Sequence, residues 1–325
     1  MNQLPLPANG NGAASAKRLR VVSLFSGCGG MDLGFRGGFT VFGSTFEKLP
    51  FDIIWANDLS EAACKTYRKN LGEHVHPGDV WKTIEQNVMP TRADVVIGGF
   101  PCQDISINGK MAGVNGETRS GLYRAMIKAI ERCKPRVFVA ENVKALLQKK
   151  NRESLAKVLT DFSELGYNLS YHLYLAADYG VPQMRARVFI VGTSQGVKPF
   201  HHPWPIKTKT EWMTSKAAIG DLETLEESAD RYHVWSRAER SPEQGNRQIK
   251  ADQPSDTIRA ECHGNIQYHY SLPRRLSMRE AARLQTFPDD FTFVCRLRET
   301  ERQIGNAVPP VLAWHIAKAV SECLS

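Results

Sequence analysis

Three features that define other protein classes are missing from this chain of 325 residues. No apolar run approaches the roughly 20 residues that a membrane-spanning helix needs, so we expect a soluble protein with no membrane partner. The seven cysteines include no Cys-x-x-Cys pair, which argues against a disulfide framework and favours a reducing, cytoplasmic compartment. The histidines lack the spacing of metal ligands, so we expect no metal centre.

The first 16 residues also lack the apolar block of a secretory signal. They are rich in Asn, Ala, Gly and Pro, so we expect a flexible arm over residues 1–17. What the chain does contain is positive charge, with a formal net charge of +8 and an isoelectric point of about 9.1. This balance favours a polyanionic partner, although many ordinary soluble proteins are equally basic.

Short apolar runs alternate with helical patterns over the first two thirds of the chain. This alternation predicts an α/β fold with a parallel sheet and helices on both faces. The predicted strands cover Leu19–Phe25, Asp52–Ala56, Asp94–Gly98, Arg136–Ala140, Leu169–Ala176 and Val188–Gly192. The predicted helices cover Met31–Arg36, Glu61–Asn70, Gly121–Cys133, Arg152–Leu165, Ser277–Gln285 and Val311–Leu324.

The character of the sequence changes after Gly192, where prolines interrupt a polar stretch that runs to about Tyr270. We therefore predict a catalytic domain over residues 1–193 and 303–325, a small separate domain over residues 194–271 and a connecting segment over residues 272–302. The apolar face of the last helix predicts that it packs back on the first domain.

Cys102 follows a buried apolar run, and Glu141 follows the next such run 39 positions later. In open α/β sheets, ligands bind outside the carboxyl ends of the strands. A thiol and a carboxyl group facing one pocket there suit attack on an electron-poor ring whose nitrogen must be held or protonated. The alternatives are an inert core cysteine for Cys102 and a salt-bridged strand-end acid for Glu141.

A glycine-rich turn at residues 25–30 follows the first predicted strand. Its glycines either let the backbone approach a ligand or pack the strand on a helix. Asp58 follows the second strand and Asp79 follows a short third one, so both acids can reach the same cofactor, although Asp58 is equally a candidate helix N-cap. Because Asp58 lies 28 positions beyond Gly30, farther than a dinucleotide fingerprint requires, we favour a mononucleoside cofactor.

Several motifs occur in order along nearly the whole chain: Phe25-Ser26-Gly27-x-Gly29-Gly30, Asn57-Asp58, Gly78-Asp79, Phe100-Pro101-Cys102-Gln103, Glu141-Asn142-Val143, Gln183-x-Arg185-x-Arg187, Arg279-Glu280-Ala281-Ala282-Arg283-Leu284-Gln285-x-Phe287-Pro288 and Gln303-x-Gly305-Asn306-Ala307-Val308. Together they resemble the DNA (cytosine-5)-methyltransferase family. The resemblance implies S-adenosyl-L-methionine as methyl donor, a Rossmann-like catalytic domain, and a small target-recognition domain between the Gln-x-Arg-x-Arg and Arg-Glu-Ala-Ala-Arg motifs.

The resemblance also implies the catalytic roles. Cys102 is the expected nucleophile that adds to carbon 6 of a cytosine, and Glu141 is expected to hold the exocyclic amine and share a proton with ring nitrogen 3. Arg187 is expected to contact the cytosine or orient Glu141, while Arg185 is expected nearer the phosphates or Cys102. The plain alternative for both arginines is an exposed strand edge.

For the cofactor, the resemblance implies that Phe25 stacks on the adenine, Asp58 binds the ribose and Asp79 binds the exocyclic amine. The other expected cofactor residues are Ser26, Gly27, Gly29, Gly30, Val80, Pro101, Asn306 and Val308. The chain departs from the family in two places. Asp58 is one methylene shorter than the usual Glu, and the stretch Gly37–Phe51 is longer than in compact relatives, as a decorative loop or a DNA contact.

Duplex DNA is the expected partner, and the target base must be flipped out of the helix at a cost of a few kcal/mol. The glycine-bearing segment Gln103–Ser120 is expected to close over the DNA, or else to be an ordinary solvated loop. The candidate DNA contacts are Gln103, Ser106, Lys110, Arg119, Arg237, Arg240, Arg247, Arg259, His263 and Asn265.

Two other functions stay open at this point. One is a tRNA cytosine-5 methyltransferase, whose Cys-Phe-Thr motif is not found here. The other is a catalytically silent DNA-binding regulator. The preferred hypothesis is a monomeric enzyme of the restriction-modification type, associated with the nucleoid through its DNA and paired with a restriction endonuclease that cuts the same site.

Overall fold

The computed structural model describes residues 18–100, 122–237, 247–260 and 267–325. The strands are β1 (Leu19–Leu24), β2 (Phe39–Val41), β3 (Ser44–Phe46), β4 (Phe51–Asp58), β5 (Val75–Pro77), β6 (Val95–Gly99), β7 (Val137–Val143), β8 (Asn168–Leu175) and β9 (Ala186–Thr193). The α-helices are α1 (Gly30–Arg36), α2 (Glu61–Leu71), α3 (Val80–Glu85), α4 (Leu122–Cys133), α5 (Arg152–Ser163), α6 (Ser215–Ile219), α7 (Met278–Leu284), α8 (Leu297–Asn306) and α9 (Pro310–Leu324).

A seven-stranded sheet in the order β5-β4-β1-β6-β7-β9-β8 forms the centre of the fold. The five strands from β5 to β7 run parallel, so their carboxyl ends meet at one edge of the sheet. We call this the carboxyl edge. The glycine turn, the two acids Asp58 and Asp79, the chain leading to Cys102, and Glu141 all lie at the strand ends that form this edge.

Alternating side chains of each strand pack into two cores on opposite faces of the sheet. Val21, Val95 and Val139 face a core that includes α1, α7 and α9, which we call the α9 face. Val22 and Val96 face a core built with α4 and α5, which we call the α4 face. Helices therefore cover both faces, as the sequence predicts.

All the predicted strands and helices are present with boundaries that agree within three residues. The prediction of a parallel sheet was wrong for β9, which runs antiparallel to both β7 and β8. The physical reason is the short connection between β8 and β9, since a parallel crossover needs about a dozen residues or more. The hairpin β2–β3 and the helices α3, α6 and α8 were not predicted.

The stretch of residues 37–51 contains the antiparallel hairpin β2–β3, which packs against the C-terminal helix. Phe46 packs edge-on against Trp314 at 5.3 Å between ring centroids, and the Trp314 indole N–H donates to the carbonyl of Glu47 at 2.9 Å. Helix α9 also lies against α1, where a Cβ on Gly34 would stand 2.4 Å from the Ala313 side chain. The prediction that the last helix returns to the first domain is confirmed.

The described parts of residues 194–271 bury their apolar side chains in the same core as the sheet. Phe200, Ile219, Ile249 and Ile258 all belong to the α9-face core. Within the described ranges this region shows no core of its own, so a separate small domain with a boundary at residue 194 stays a prediction. In all the parts of the chain that the structure describes, no helix is long and apolar enough to cross a membrane.

Candidate active site

A buried ion pair joins two neighbouring strands at the carboxyl edge. Arg187 of β9 pairs in register with Val143 of β7, which brings its guanidinium to Glu141 two residues earlier on β7. The Arg187 Nε lies 2.8 Å from the Glu141 Oε1, and each side chain is only 11% exposed. Burial raises the pKa of Glu141, and the charges of Arg187 and Arg185 oppose that rise. The carboxyl group is thus fixed in place and removed from water.

The end of β6 lies close to the Glu141 carboxyl group because of Gly99 on β6 and Asn142 on β7. Gly99 pairs with Glu141 across the strands, and a Cβ on Gly99 would lie 2.7 Å from the Glu141 Oε2. The Asn142 side-chain amide donates to the carbonyl of Phe100 at 2.9 Å and accepts from the N–H of Val143 at 2.8 Å. The chain that leads to Cys102 therefore starts beside Glu141.

Six predicted site residues between residues 101 and 121 lie outside the described residues, so their expected roles stay predictions. They are Pro101, Cys102, Gln103, Ser106, Lys110 and Arg119.

Arg185 is buried and donates to three backbone carbonyls, which we call the carbonyl cage. One terminal nitrogen lies 2.9 Å from the carbonyl of Ile258, and the other lies 2.9 Å from those of Gly305 and Ala307. Burial lowers the pKa of Arg185 well below its usual range. This geometry commits both terminal nitrogens to the protein backbone and ties the strand end before β9 to the start of the C-terminal segment.

Two buried glutamines extend the carbonyl cage. The Gln183 amide donates to the Gln285 side-chain oxygen at 2.6 Å, and the Gln285 amide donates to the carbonyls of Ile304 and Ala307, each at 2.8 Å. The Ala307 carbonyl thus accepts from both Gln285 and Arg185. Sequence reasoning missed these glutamines as site residues, although both belong to the motifs that carry the family resemblance.

Asp58 anchors the glycine turn. Its two carboxylate oxygens accept from the backbone N–H groups of Gly27 and Ser60, each at 2.8 Å. The N-cap of α2 is Ser60, whose hydroxyl accepts from the N–H of Ala63. Asp58 is therefore not the helix N-cap, and burial raises the pKa of its carboxyl group.

The glycines of the turn differ in how much space a Cβ would have at each position. A Cβ on Gly29 would meet the Leu71 side chain at 2.2 Å, and one on Gly30 would meet the carbonyl oxygen of Val308 at 2.5 Å. These two positions are small because the helix and the C-terminal segment pack against them. Gly27 has φ +57°, and no heavy atom lies within 4 Å of the position that its Cβ would take, so it borders open space.

The remaining cofactor candidates lie around the same part of the edge. Asp79 is exposed and caps α3 by accepting from the N–H of Trp81 at 2.9 Å. Val80 and Val308 are buried, while Asn306 is exposed at the end of α8. Ser26 is buried, with its hydroxyl directed to the carbonyl of Asn57.

The end of the sheet formed by β5, β4 and β1 has the chemistry that an adenosine group needs. Phe25, half-buried at the end of β1, offers an aromatic face. Asp58 and Asp79 follow the two adjacent strands, and each carboxylate has more lone pairs than these backbone N–H groups fill. These residues fit a nucleoside cofactor that binds in the crevice outside the strand ends.

The predicted DNA contacts in the described residues lie at the surface. Arg237 pairs with Glu227 and lies over the Trp235 ring at 5.5 Å from its centroid. Arg247 and Arg259 are exposed. The backbone of Arg259 packs against α8, and a Cβ on Gly305 of that helix would lie 2.4 Å from the Arg259 carbonyl carbon. Arg240, His263 and Asn265 lie outside the described residues.

The fold is that of an α/β protein whose parallel strands end at one edge, which is where open α/β sheets bind their ligands. The family model for C-5 cytosine-specific DNA methylases matches residues 19–244 and 226–322, and the chain belongs to this family. The predicted family and enzyme class are thereby confirmed: this is a DNA (cytosine-5)-methyltransferase. The family uses S-adenosyl-L-methionine in general.

Curated relatives and solved structures agree with the family. The chain is 35% identical to the Type II methyltransferase M.NgoFVII of Neisseria gonorrhoeae, over 94% of this chain and 87% of that protein. It is 32% identical to the Type II methyltransferase M.FnuDI of Fusobacterium nucleatum, over 94% and 95% of the two chains.

Among solved structures, the Dnmt2 methyltransferase of S. pombe matches 94% of this chain and 99% of its own with a TM-score of 0.68. At 19% identity this likeness shows the fold alone. The predicted Rossmann-like methyltransferase fold is confirmed.

Proposed function

We propose that this enzyme transfers a methyl group from S-adenosyl-L-methionine to carbon 5 of a cytosine that is flipped out of duplex DNA within one short sequence. The observation that carries the proposal is the buried pair of Glu141 and Arg187, held at the carboxyl edge beside the chain that leads to Cys102. A buried, oriented carboxyl group of this kind suits a substrate ring that must receive a proton or a hydrogen bond.

The reaction needs an activated ring, because carbon 5 of cytosine is a poor nucleophile. The Cys102 thiolate adds to carbon 6 and forms a carbon–sulfur bond, and the ring electrons move toward nitrogen 3 and carbon 5. A free thiol has a pKa near 8.5, so nearby positive charge would increase the share of thiolate. After methylation, water accepts the proton of carbon 5, the electrons of that C–H bond reform the double bond to carbon 6, and the carbon–sulfur bond breaks to release the Cys102 thiolate.

Glu141 stabilises the charge that develops on the ring. Its carboxyl group holds the exocyclic amine and shares a proton with nitrogen 3 as carbon 6 is attacked. The raised pKa of Glu141 favours this role, because a desolvated carboxyl group holds a proton more readily than a solvated one. Arg187 orients the carboxyl group through its contact at 2.8 Å, and Arg185 positions the backbone around it.

Phe25, Asp58 and Asp79 would hold the adenosine part of S-adenosyl-L-methionine, which would supply the electrophilic methyl group. Phe25 would stack on the adenine, and Asp58 and Asp79 would accept from the ribose and from the exocyclic amine. Because Asp58 is already fixed by two backbone N–H groups, its remaining lone pairs are presented in a rigid position. Rigid presentation lowers the entropy cost of binding.

The names of the relatives support a proposal for the biological setting. Both curated relatives described above are named Type II methyltransferases, so we propose that this enzyme protects a DNA site from a companion restriction endonuclease. We also propose that it acts as a monomer, because one described chain brings the cofactor acids and the Glu141–Arg187 pair to one edge.

The test is transfer of a labelled methyl group to unmethylated duplex DNA and to tRNA, with bisulfite sequencing of the DNA product. We expect label on carbon 5 of cytosine in one short DNA motif. Glu141→Gln should lose most of the activity, while Glu131→Gln, a matched change at an exposed ion pair with Lys128, should not. Label in tRNA alone, or no label at all, would contradict the proposal.

A further inference from the structure

Four basic residues follow the catalytic strand within nine positions: Lys144, Lys149, Lys150 and Arg152. All four are exposed, and we call them the basic flank. The segment from residue 144 to residue 153 contains one acid, Glu153. The basic flank begins one residue beyond Glu141-Asn142-Val143, so it lies at the carboxyl edge next to the candidate active site.

The backbone under the basic flank is well anchored. Two short 3-10 helices, Lys144–Leu147 and Lys149–Asn151, connect β7 to α5. Within the first of them Leu146 is fully buried in the α4-face core, and the Asn151 side-chain amide donates to the carbonyl of Ala145 at 2.8 Å. The cationic side chains are therefore presented from a fixed surface, which lowers the entropy cost of holding a ligand.

Within the described ranges, no ion pair neutralises the basic flank. Lysines on the adjoining helices do have partners there, since Lys128 pairs with Glu131 and Lys157 pairs with Asp161. A cluster of like charges without acids between them raises the local positive potential and attracts a polyanion.

The basic flank and the recognition candidates lie on opposite faces of the sheet. Leu146 packs in the α4-face core, whereas Ile249, Ile258 and Leu276, which neighbour Arg247 and Arg259, pack in the α9-face core. The Glu141–Arg187 pair lies at the edge between the two faces. A duplex whose target base enters at this edge extends over both faces.

We infer that the basic flank binds phosphates of the duplex next to the target cytosine, on the side of the sheet opposite residues 247–260 and 267–276. This inference rests on the proposed function, because it takes duplex DNA as the ligand. Phosphate contacts fix the position of the protein on DNA without reading its sequence. The basic flank thus supplies affinity that is independent of the recognised motif.

The test compares the salt dependence of DNA binding in the full chain and two matched double variants. Lys149→Gln/Lys150→Gln removes two charges from the basic flank. Lys69→Gln/Arg92→Gln removes two exposed charges at the opposite end of the strands, one in the last turn of α2 and one before β6. Binding of a fluorescent duplex is measured by anisotropy at several salt concentrations, with a specific and a scrambled sequence.

The basic-flank variant should lose affinity for both duplexes to a similar degree, and the slope of log K against log salt should fall by about 1 for each lost contact. The control variant should keep the wild-type slope. In methyl transfer, the basic-flank variant should raise the KM for DNA and keep kcat. An unchanged slope in that variant, or an equal loss in the control, would overturn the inference.

DNA binding and methyl transfer are measured separately, so the phosphate site and the proposed function can be contradicted independently. Loss of slope in the basic-flank variant with no methylation by the wild type would support the phosphate site and contradict the proposed function. Methylation of DNA by the wild type, with an unchanged salt slope in the basic-flank variant, would support the proposed function and contradict the phosphate site. A parallel titration with tRNA completes the test, because a loss confined to tRNA would overturn the assignment to DNA.

Discussion

Alanine at Gly99 should displace the carboxyl group of Glu141, which we propose is catalytic, and leave the fold intact. The new Cβ would stand 2.7 Å from the Glu141 Oε2. Ordinary contacts between carbon and oxygen start at about 3.3 Å, so the carboxyl group must retreat by roughly 0.6 Å. Its ion pair with Arg187 at 2.8 Å and the surrounding burial resist that movement.

A misplacement of about 1 Å at a reacting group costs roughly 100-fold in rate. For the smaller displacement in Gly99→Ala we expect kcat to fall between about 10-fold and 100-fold, which corresponds to about 1.4 to 2.7 kcal/mol. The midpoint of thermal unfolding should change little, because the clashing atom is the end of a side chain and not backbone. The assay is methyl transfer at saturating DNA and cofactor, with thermal unfolding measured in parallel.

The control for this prediction is Gly220→Ala, where the nearest atom to the new Cβ is a flexible lysine side-chain carbon at 3.4 Å. It should keep the wild-type kcat. A second check adds Gly99→Ala to Glu141→Gln. If the two changes act through the same group, their effects on rate should not add. A wild-type rate for Gly99→Ala would refute the close fit of Glu141 against β6.

Three further predictions concern the nucleophile, the glycine turn and a buried acid. Cys102→Ser should abolish methyl transfer and keep cofactor binding, measured by radiolabel transfer and calorimetry; retained turnover would contradict its role as nucleophile. Asp58→Asn replaces one carboxylate oxygen by an NH₂ donor that faces the backbone N–H of Gly27 or of Ser60. The free energy of unfolding in urea should therefore fall by about 1–3 kcal/mol, and cofactor affinity should fall as well. Burial raises the pKa of Asp32 to about 6 despite its hydrogen bond from Tyr67, so the folded state holds a proton that the unfolded state has released. The contribution of Asp32 to wild-type stability should therefore fall as pH rises from about 4 to 6. Asp32→Asn should be more stable than wild type by roughly 2 kcal/mol at pH 7.5 but not at pH 4. If the variant and the wild type were equally stable at both pH values, this reasoning would be contradicted.

The sequence predicted the features that depend on local pattern. The apolar runs before Cys102 and Glu141 predicted β6 and β7, and the glycines after β1 predicted a turn into α1. The ordered motifs then identified the family. These features follow from periodicity and spacing, which can be observed along the chain.

The features that the sequence did not predict depend on residues far apart. Arg185 reaches carbonyls that lie 73 to 122 positions away, and no local pattern marks a backbone acceptor. The fit of Gly99 against Glu141 depends on the register between two strands. The direction of β9 was missed because a strand pattern is the same in both orientations, and only the length of the connection distinguishes them.

The carbonyl cage has a consequence for how such an enzyme can diversify. All three acceptors of Arg185 are main-chain oxygens, which every amino acid supplies. Side chains around Ile258 can therefore change without removing a partner from this buried arginine. Chimeras that exchange residues 247–260 with a relative should keep their catalytic geometry as long as the backbone path is preserved.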